Sequence, residues 1–187
     1  MIDSIRILPR YSVEKLISTE ATWGLRHPWI LISIYSDTTE PFIVGEPDIE
    51  KLKIKGCIDV KAFEFHDITQ KKFKALKKSY PKAKKQLKLF TESQAKDMLE
   101  YIDKYKNDDR DTMLVIHCEA GVSRSGAVGV FACRYLNIDL RRFLALHPQV
   151  LPNPFVYDTL REVSGMDDCY HRFWDDPIPE DHKLILF

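Results

Sequence analysis

Trp29 to Tyr35 (WILISIY) is a near-continuous apolar run of seven residues, and it constrains the fold more than any other stretch of the chain. A strand with one wet face would alternate, whereas a short continuous apolar run closed by turn residues reads as a strand buried on both faces, the habit of parallel sheets covered by helices. Three further segments read as strands: Ile5 to Leu8; Ile58 to Phe65 (IDVKAFEF), ending at His66-Asp67; and Met113 to Ile116, running into His117-Cys118. Helical patterns fall between and after them. Ser12 is expected to cap a helix reaching about Glu20, and Thr69 to Tyr80 reads as a short basic helix or mobile insert interrupted by Pro81. Thr91-Glu92-Ser93-Gln94 fits a capping box opening a helix with Ala95, Met98, Leu99, Ile102 and Tyr105 on one face. Ser125 to Leu136 is apolar around nearly its whole circumference, as a buried helix would be. Asp139 to Leu146 and a segment capped by Asn153, with Pro154 at its first position, complete the set. Strands alternating with helices predict an α/β single domain with a central, mostly parallel sheet, whose ligand crevice lies at the carboxyl ends of the strands. His117-Cys118 falls there.

The 187 residues are 44% apolar with 7 Gly and 10 Pro, which excludes disordered and collagen-like classes and fits one domain with extensions. Lys plus Arg and Asp plus Glu both total 28, so global charge points to neither nucleic acid nor membrane. The balance is uneven along the chain. Lys71 to Lys88 holds nine lysines and no acid, leaving 19 − 28 = −9 elsewhere. This Lys-rich insert (about 69–90) is mostly a solvated face in proteins generally, but an acidic partner, RNA or a membrane surface are the ligands its charge would suit. An acidic extension occupies about 165–187. The spacing of Cys57, Cys118, Cys133 and Cys169 matches no zinc or CxxC pattern, so a reducing compartment is expected, with Cys57, Cys133 and Cys169 structural. Neither a signal-peptide pattern nor a transmembrane segment is read in the sequence, and a soluble, cytoplasmic protein is the expectation.

The chemistry concentrates in His117 to Gly126, HCEAGVSRSG. A cysteine directly after a buried strand, five loop residues, then an arginine opening a helix require the loop Glu119, Ala120, Gly121, Val122, Ser123 to bend so that its N–H groups converge. Such a nest, with the positive end of the helix, suits a dianion such as phosphate. The same field favours Cys118 as thiolate. The Arg124 fork can take two phosphate oxygens, and Ser125 can donate to the thiolate as it leaves. His117 is expected to order the loop rather than titrate. Gly121 supplies backbone freedom, and Gly126 is expected to let the helix pack close to the sheet.

His117-Cys118 with Arg124 and Ser125 resembles the HCx5R signature, followed by Ser or Thr, of the cysteine-dependent protein tyrosine phosphatase superfamily. The AGVSRS form is similar to the compact dual-specificity branch, and Leu151-Pro152-Asn153-Pro154-Phe155 to the PN-containing helix start of that branch. The resemblance spans about Trp29 to Val163. It implies a phosphomonoester hydrolase with a phosphocysteine intermediate, no metal or organic cofactor, and a phosphorylated protein, above all phosphotyrosine, as substrate. A phosphoinositide, an RNA 5′-phosphate, or a phosphate-binding pseudoenzyme serving as an interaction module are the alternatives. In such enzymes an aspartate on a loop after an upstream strand protonates the leaving group. Asp67 is the expected acid; Asp111 and Asp97 are the alternatives. His66 and His171 are read as surface or capping residues.

Overall fold

The computed structural model describes residues 1–20, 25, 28–36, 46–79 and 87–167. Cys169, His171, Pro81 and the acidic residues beyond Asp167 lie outside them. In chain order the elements are β1 (Ile2–Pro9), α1 (Arg10–Ser18), β2 (Trp29–Tyr35), α2 (Glu46–Ile54), β3 (Cys57–Glu64), α3 (Gln70–Ser79), α4 (Glu92–Lys106), β4 (Thr112–Cys118), α5 (Arg124–Tyr135), α6 (Leu140–Leu146) and α7 (Pro154–Ser164). The four strands form one sheet in the order β1-β4-β2-β3, and every pairing is parallel.

Alternation along the strands sends side chains to two cores. Ile30, Ile32, Ile34, Leu114 and Ile116 pack with buried residues of α4, α5 and α7 on one face. On the other, Trp29, Leu31, Met113 and Val115 meet Val13 and Leu16 of α1 and Leu52 of α2. β2 is therefore covered on both sides, and burying a side chain such as Leu31 stabilises the fold by roughly 2 kcal/mol. Because the strands are parallel, Pro9, Cys118 and Glu64 end at the same edge of the sheet, which gathers the functional residues.

Two local expectations need correction. Ser12 does not cap α1: Pro9 occupies the cap position, Arg10 is the first helical residue, and Ser12 is buried inside the first turn. Pro9 ends β1 and presets the turn with φ −75°, so the helix starts earlier than a side-chain cap would imply. Gly126 does not serve helix-to-sheet approach either, since a Cβ there would lie 3.0 Å from Val150 Cγ1. Gly129 holds that place, where a Cβ would come within 2.9 Å of Ile7 Cδ1 on β1 and 2.7 Å of the Phe143 ring. The capping box is present as read. Gln94 N–H donates to Thr91 Oγ1 (3.2 Å), Thr91 N–H to Gln94 Oε1 (3.1 Å), and Gln94 Nε2 reaches Glu64 O (2.9 Å), tying α4 to the end of β3.

Candidate active site

β4 delivers Cys118 to the carboxyl edge of the sheet, and α5 starts at Arg124, so Glu119 to Ser123 must reverse the chain in five residues. Gly121 makes the turn with φ +71°, and a Cβ there would stand 2.9 Å from Pro9 N. Three carbonyls of the loop are held from outside: Arg10 N–H donates to Glu119 O (3.1 Å), Leu151 N–H to Val122 O (3.2 Å) and Asn153 N–H to Ser123 O (3.1 Å). The N–H groups of Glu119 to Ser123 meet no acceptor among the described residues. Carbonyls pinned outward and N–H groups left unengaged are the makings of an anion nest.

Arg124 is buried, with its Nη1 fixed on Phe65 O (2.9 Å), just beyond β3. Its Nε is buried and has no hydrogen-bond partner among the described residues. A buried donor of this kind costs about 1–3 kcal/mol, and more on a charged group, unless an acceptor is supplied, and an anion in the loop would supply it. Cys118 Sγ lies 3.1 Å from Ser125 Oγ, both atoms buried. On the opposite face of β4, His117 Nε2 and Ser33 Oγ are 2.7 Å apart. Burial, aided by Arg124 and Arg10, pushes the His117 pKa down to about 4, so the ring is neutral at pH 7 and acts through hydrogen bonds. Ser33 is the one polar residue of the WILISIY run, and the register places it beside His117.

The acid expected at Asp67 comes to the loop. Its Oδ1 accepts from Ser123 Oγ (2.8 Å) and from Asn153 Nδ2 (2.7 Å), while its Oδ2 meets no partner among the described residues. Asn153 Oδ1 accepts the N–H groups of Phe155 (3.0 Å) and Val156 (3.3 Å) at the start of α7, which fixes the amide orientation and leaves Nδ2 as the donor to Asp67. Asp111 lies before the first residue of β4, about 23 Å from Cys118 at roughly 3.3 Å per residue. Asp97 is exposed on α4. His66 is corrected from surface to buried: its N–H donates to Lys88 O (2.8 Å) and its Nδ1 accepts from Lys88 N–H (3.0 Å), clasping the acid loop to the segment before α4. Cys57 and Cys133 are buried with their thiols pushed up to about 12 by desolvation, which makes them inert. Among the described residues no cluster of three or more His, Cys, Asp or Glu is arranged to hold a metal.

Arg10, Ser33 and Phe65 were not singled out from sequence. Arg10 secures the loop through its backbone and by a 3.5 Å ion pair with the exposed Glu119. Phe65 acts through a carbonyl, which no sequence pattern advertises.

No family model and no curated protein matches the chain. In solved structures the chain is similar to Tk-PTP in its active form, at 16% identity and a TM-score of 0.49, over 87% of this chain and 90% of that one. It is also similar to PTPMT1 in complex with PI(5)P, at 10% identity and a TM-score of 0.48, again over 87% and 90%. At such identities and scores the likenesses bear on neither substrate nor mechanism.

Proposed function

We propose that the chain is a phosphomonoester hydrolase working through a phosphocysteine, with phosphotyrosine on proteins as its first substrate class. The observation that carries this reading is the coincidence of Cys118 Sγ, five unengaged loop N–H groups and the buried Arg124 Nε at one strand end. Cys118 thiolate attacks phosphorus, forming the S–P bond as the P–O bond to the leaving group breaks, and Asp67 Oδ2 passes its proton to the departing oxygen. Water then attacks the phosphocysteine, Asp67 takes a proton from it, and the thiolate departs with Ser125 donating to it. The loop amides and Arg124 hold the phosphoryl oxygens as charge develops. Phosphoinositides fit less well, because Glu119, Ala120 and Val122 add no cation to the loop.

The test is turnover of p-nitrophenyl phosphate and of a phosphotyrosine peptide by wild type and Cys118→Ser. Hydrolysis lost in Cys118→Ser, with vanadate binding kept, supports the reading. Vanadate binding by wild type without any turnover would assign the fold to a phosphate-binding module instead.

A further inference from the structure

α3 leaves the acid loop three residues after Asp67, so it stands at the rim of the Cys118 site. At about 100° per residue, Lys71, Lys74 and Lys78 share one stripe of this helix, and Phe73 and Leu76 share the opposite one, bordered by Lys72. All four of these lysines are exposed, and none has an ion-pair partner among the described residues. Lys88 differs, being paired with Glu64. Leu76 is 36% exposed and Phe73 is half-buried. The other side of the loop also carries apolar groups in solvent. Leu151, whose N–H holds Val122 O, is 65% exposed, and Tyr11, next to the Arg10 that holds Glu119 O, is 56% exposed. Single exposed apolar side chains are ordinary. Here they neighbour the residues that hold the Cys118 loop, and a basic amphipathic helix begins three residues after the Asp67 that meets it.

We propose that this face docks on an anionic lipid bilayer, with the α3 lysines meeting headgroup phosphates and Leu76, Leu151 and Tyr11 entering the interface, so that the Cys118 site opens toward the membrane surface. An interfacial helix buries an apolar stripe at the headgroup boundary and carries its lysines on the polar side, where they remain close enough to feel the anionic surface. An acidic polypeptide or an RNA backbone would use the lysines but give the apolar groups nothing to enter. The docking rests on α3 and its neighbours and is independent of whether Cys118 turns over.

Co-sedimentation of the full chain with vesicles of phosphatidylcholine alone, or mixed with phosphatidylserine, tests it. The account expects binding to the mixed vesicles only, falling with salt. Lys71→Gln/Lys74→Gln/Lys78→Gln should weaken it about 100-fold, at roughly five-fold per lysine, and Leu76→Gln or Leu151→Gln several-fold. Near-ultraviolet circular dichroism checks that each variant is folded. Cys118→Ser should sediment as wild type does, while wild-type turnover of soluble p-nitrophenyl phosphate reports separately on the catalytic reading. No sedimentation with mixed vesicles, sedimentation unchanged in the triple variant, or binding of single-stranded RNA or poly-glutamate in place of vesicles would each overturn the docking.

Discussion

Asn153 serves two elements through the two ends of one amide: its oxygen caps α7 and its nitrogen holds Asp67. Asn153→Asp keeps a capping oxygen but replaces the donor with a second carboxylate beside Asp67. Two carboxylates in contact disfavour one another's charge, so the variant should lose stability at pH 7 despite its intact cap, with slower release of basic leaving groups. On the proposed mechanism, Asp67→Asn removes the proton donor. Turnover of phenyl phosphate should then fall by about 10²–10⁴-fold, and that of p-nitrophenyl phosphate, whose phenolate leaves readily, by much less. Equal losses on both substrates would remove Asp67 from the acid's role. At this scale the sequence was informative where placement follows from a fixed spacing, as for Cys118, Arg124 and Ser125, which the structure brings together at the start of α5. It was silent on Phe65 O and on the link from Asn153 to Asp67, because contacts across 59 and 86 positions are made by the fold.

The loop and its flanking helices form the next scale. Gly121 combines a left-handed φ with close approach to Pro9, so Gly121→Ala should cost about 1–3 kcal/mol in backbone strain and contact, more than a surface change. Because the strain falls on the nest itself, phosphate or vanadate affinity should drop with stability. Thr91→Ala, by contrast, removes one oxygen of a capping box and should cost about 1 kcal/mol in urea-monitored stability while leaving phosphate affinity alone. A Gly121→Ala variant with unchanged vanadate affinity would show that the loop's conformation does not matter to binding. Elements with strong period or caps, β2, α4, α5 and α7, were legible from sequence. α2 was not, since EPDIEKLKI has few apolar positions, and among those described only Leu52 is fully buried. Helix-to-sheet packing was assigned to the wrong glycine because Gly126 and Gly129 differ only in the neighbours that tertiary structure brings.

On the scale of the whole molecule, the parallel sheet gathers three strand ends, and burial of two neutral histidines accompanies it. His117 and His147 both have pKa values pushed down to about 4, chiefly by desolvation, from an ordinary 6.5. His147 Nε2 accepts the Ile7 N–H of β1 (3.4 Å). The unfolded chain therefore takes up protons between about pH 6.5 and 4 that the folded chain refuses, so stability is complete above that window and falls as pH drops through it. Each histidine contributes at most about 3 kcal/mol to that fall, at 1.36 kcal/mol per unit. Urea midpoints at pH 7 and pH 5 should differ accordingly, and His147→Gln should reduce the difference. A midpoint that is flat between these values would contradict the buried neutral state. The alternation of strands and helices made the α/β layers readable in advance. The roles of individual acids were not readable: Asp59, near the start of β3, accepts from Lys104 and Tyr105 of α4, a structural use of charge that the sequence does not distinguish from a functional one.

The most direct measurement of the central claim is rapid acid quench of the protein mixed with a phosphotyrosine peptide, followed by mass spectrometry of the peptide containing Cys118. The account predicts a phosphoryl group on Cys118 in wild type and none in Cys118→Ser. Steady hydrolysis with no phosphoryl group on Cys118, or hydrolysis retained by Cys118→Ser, would contradict it.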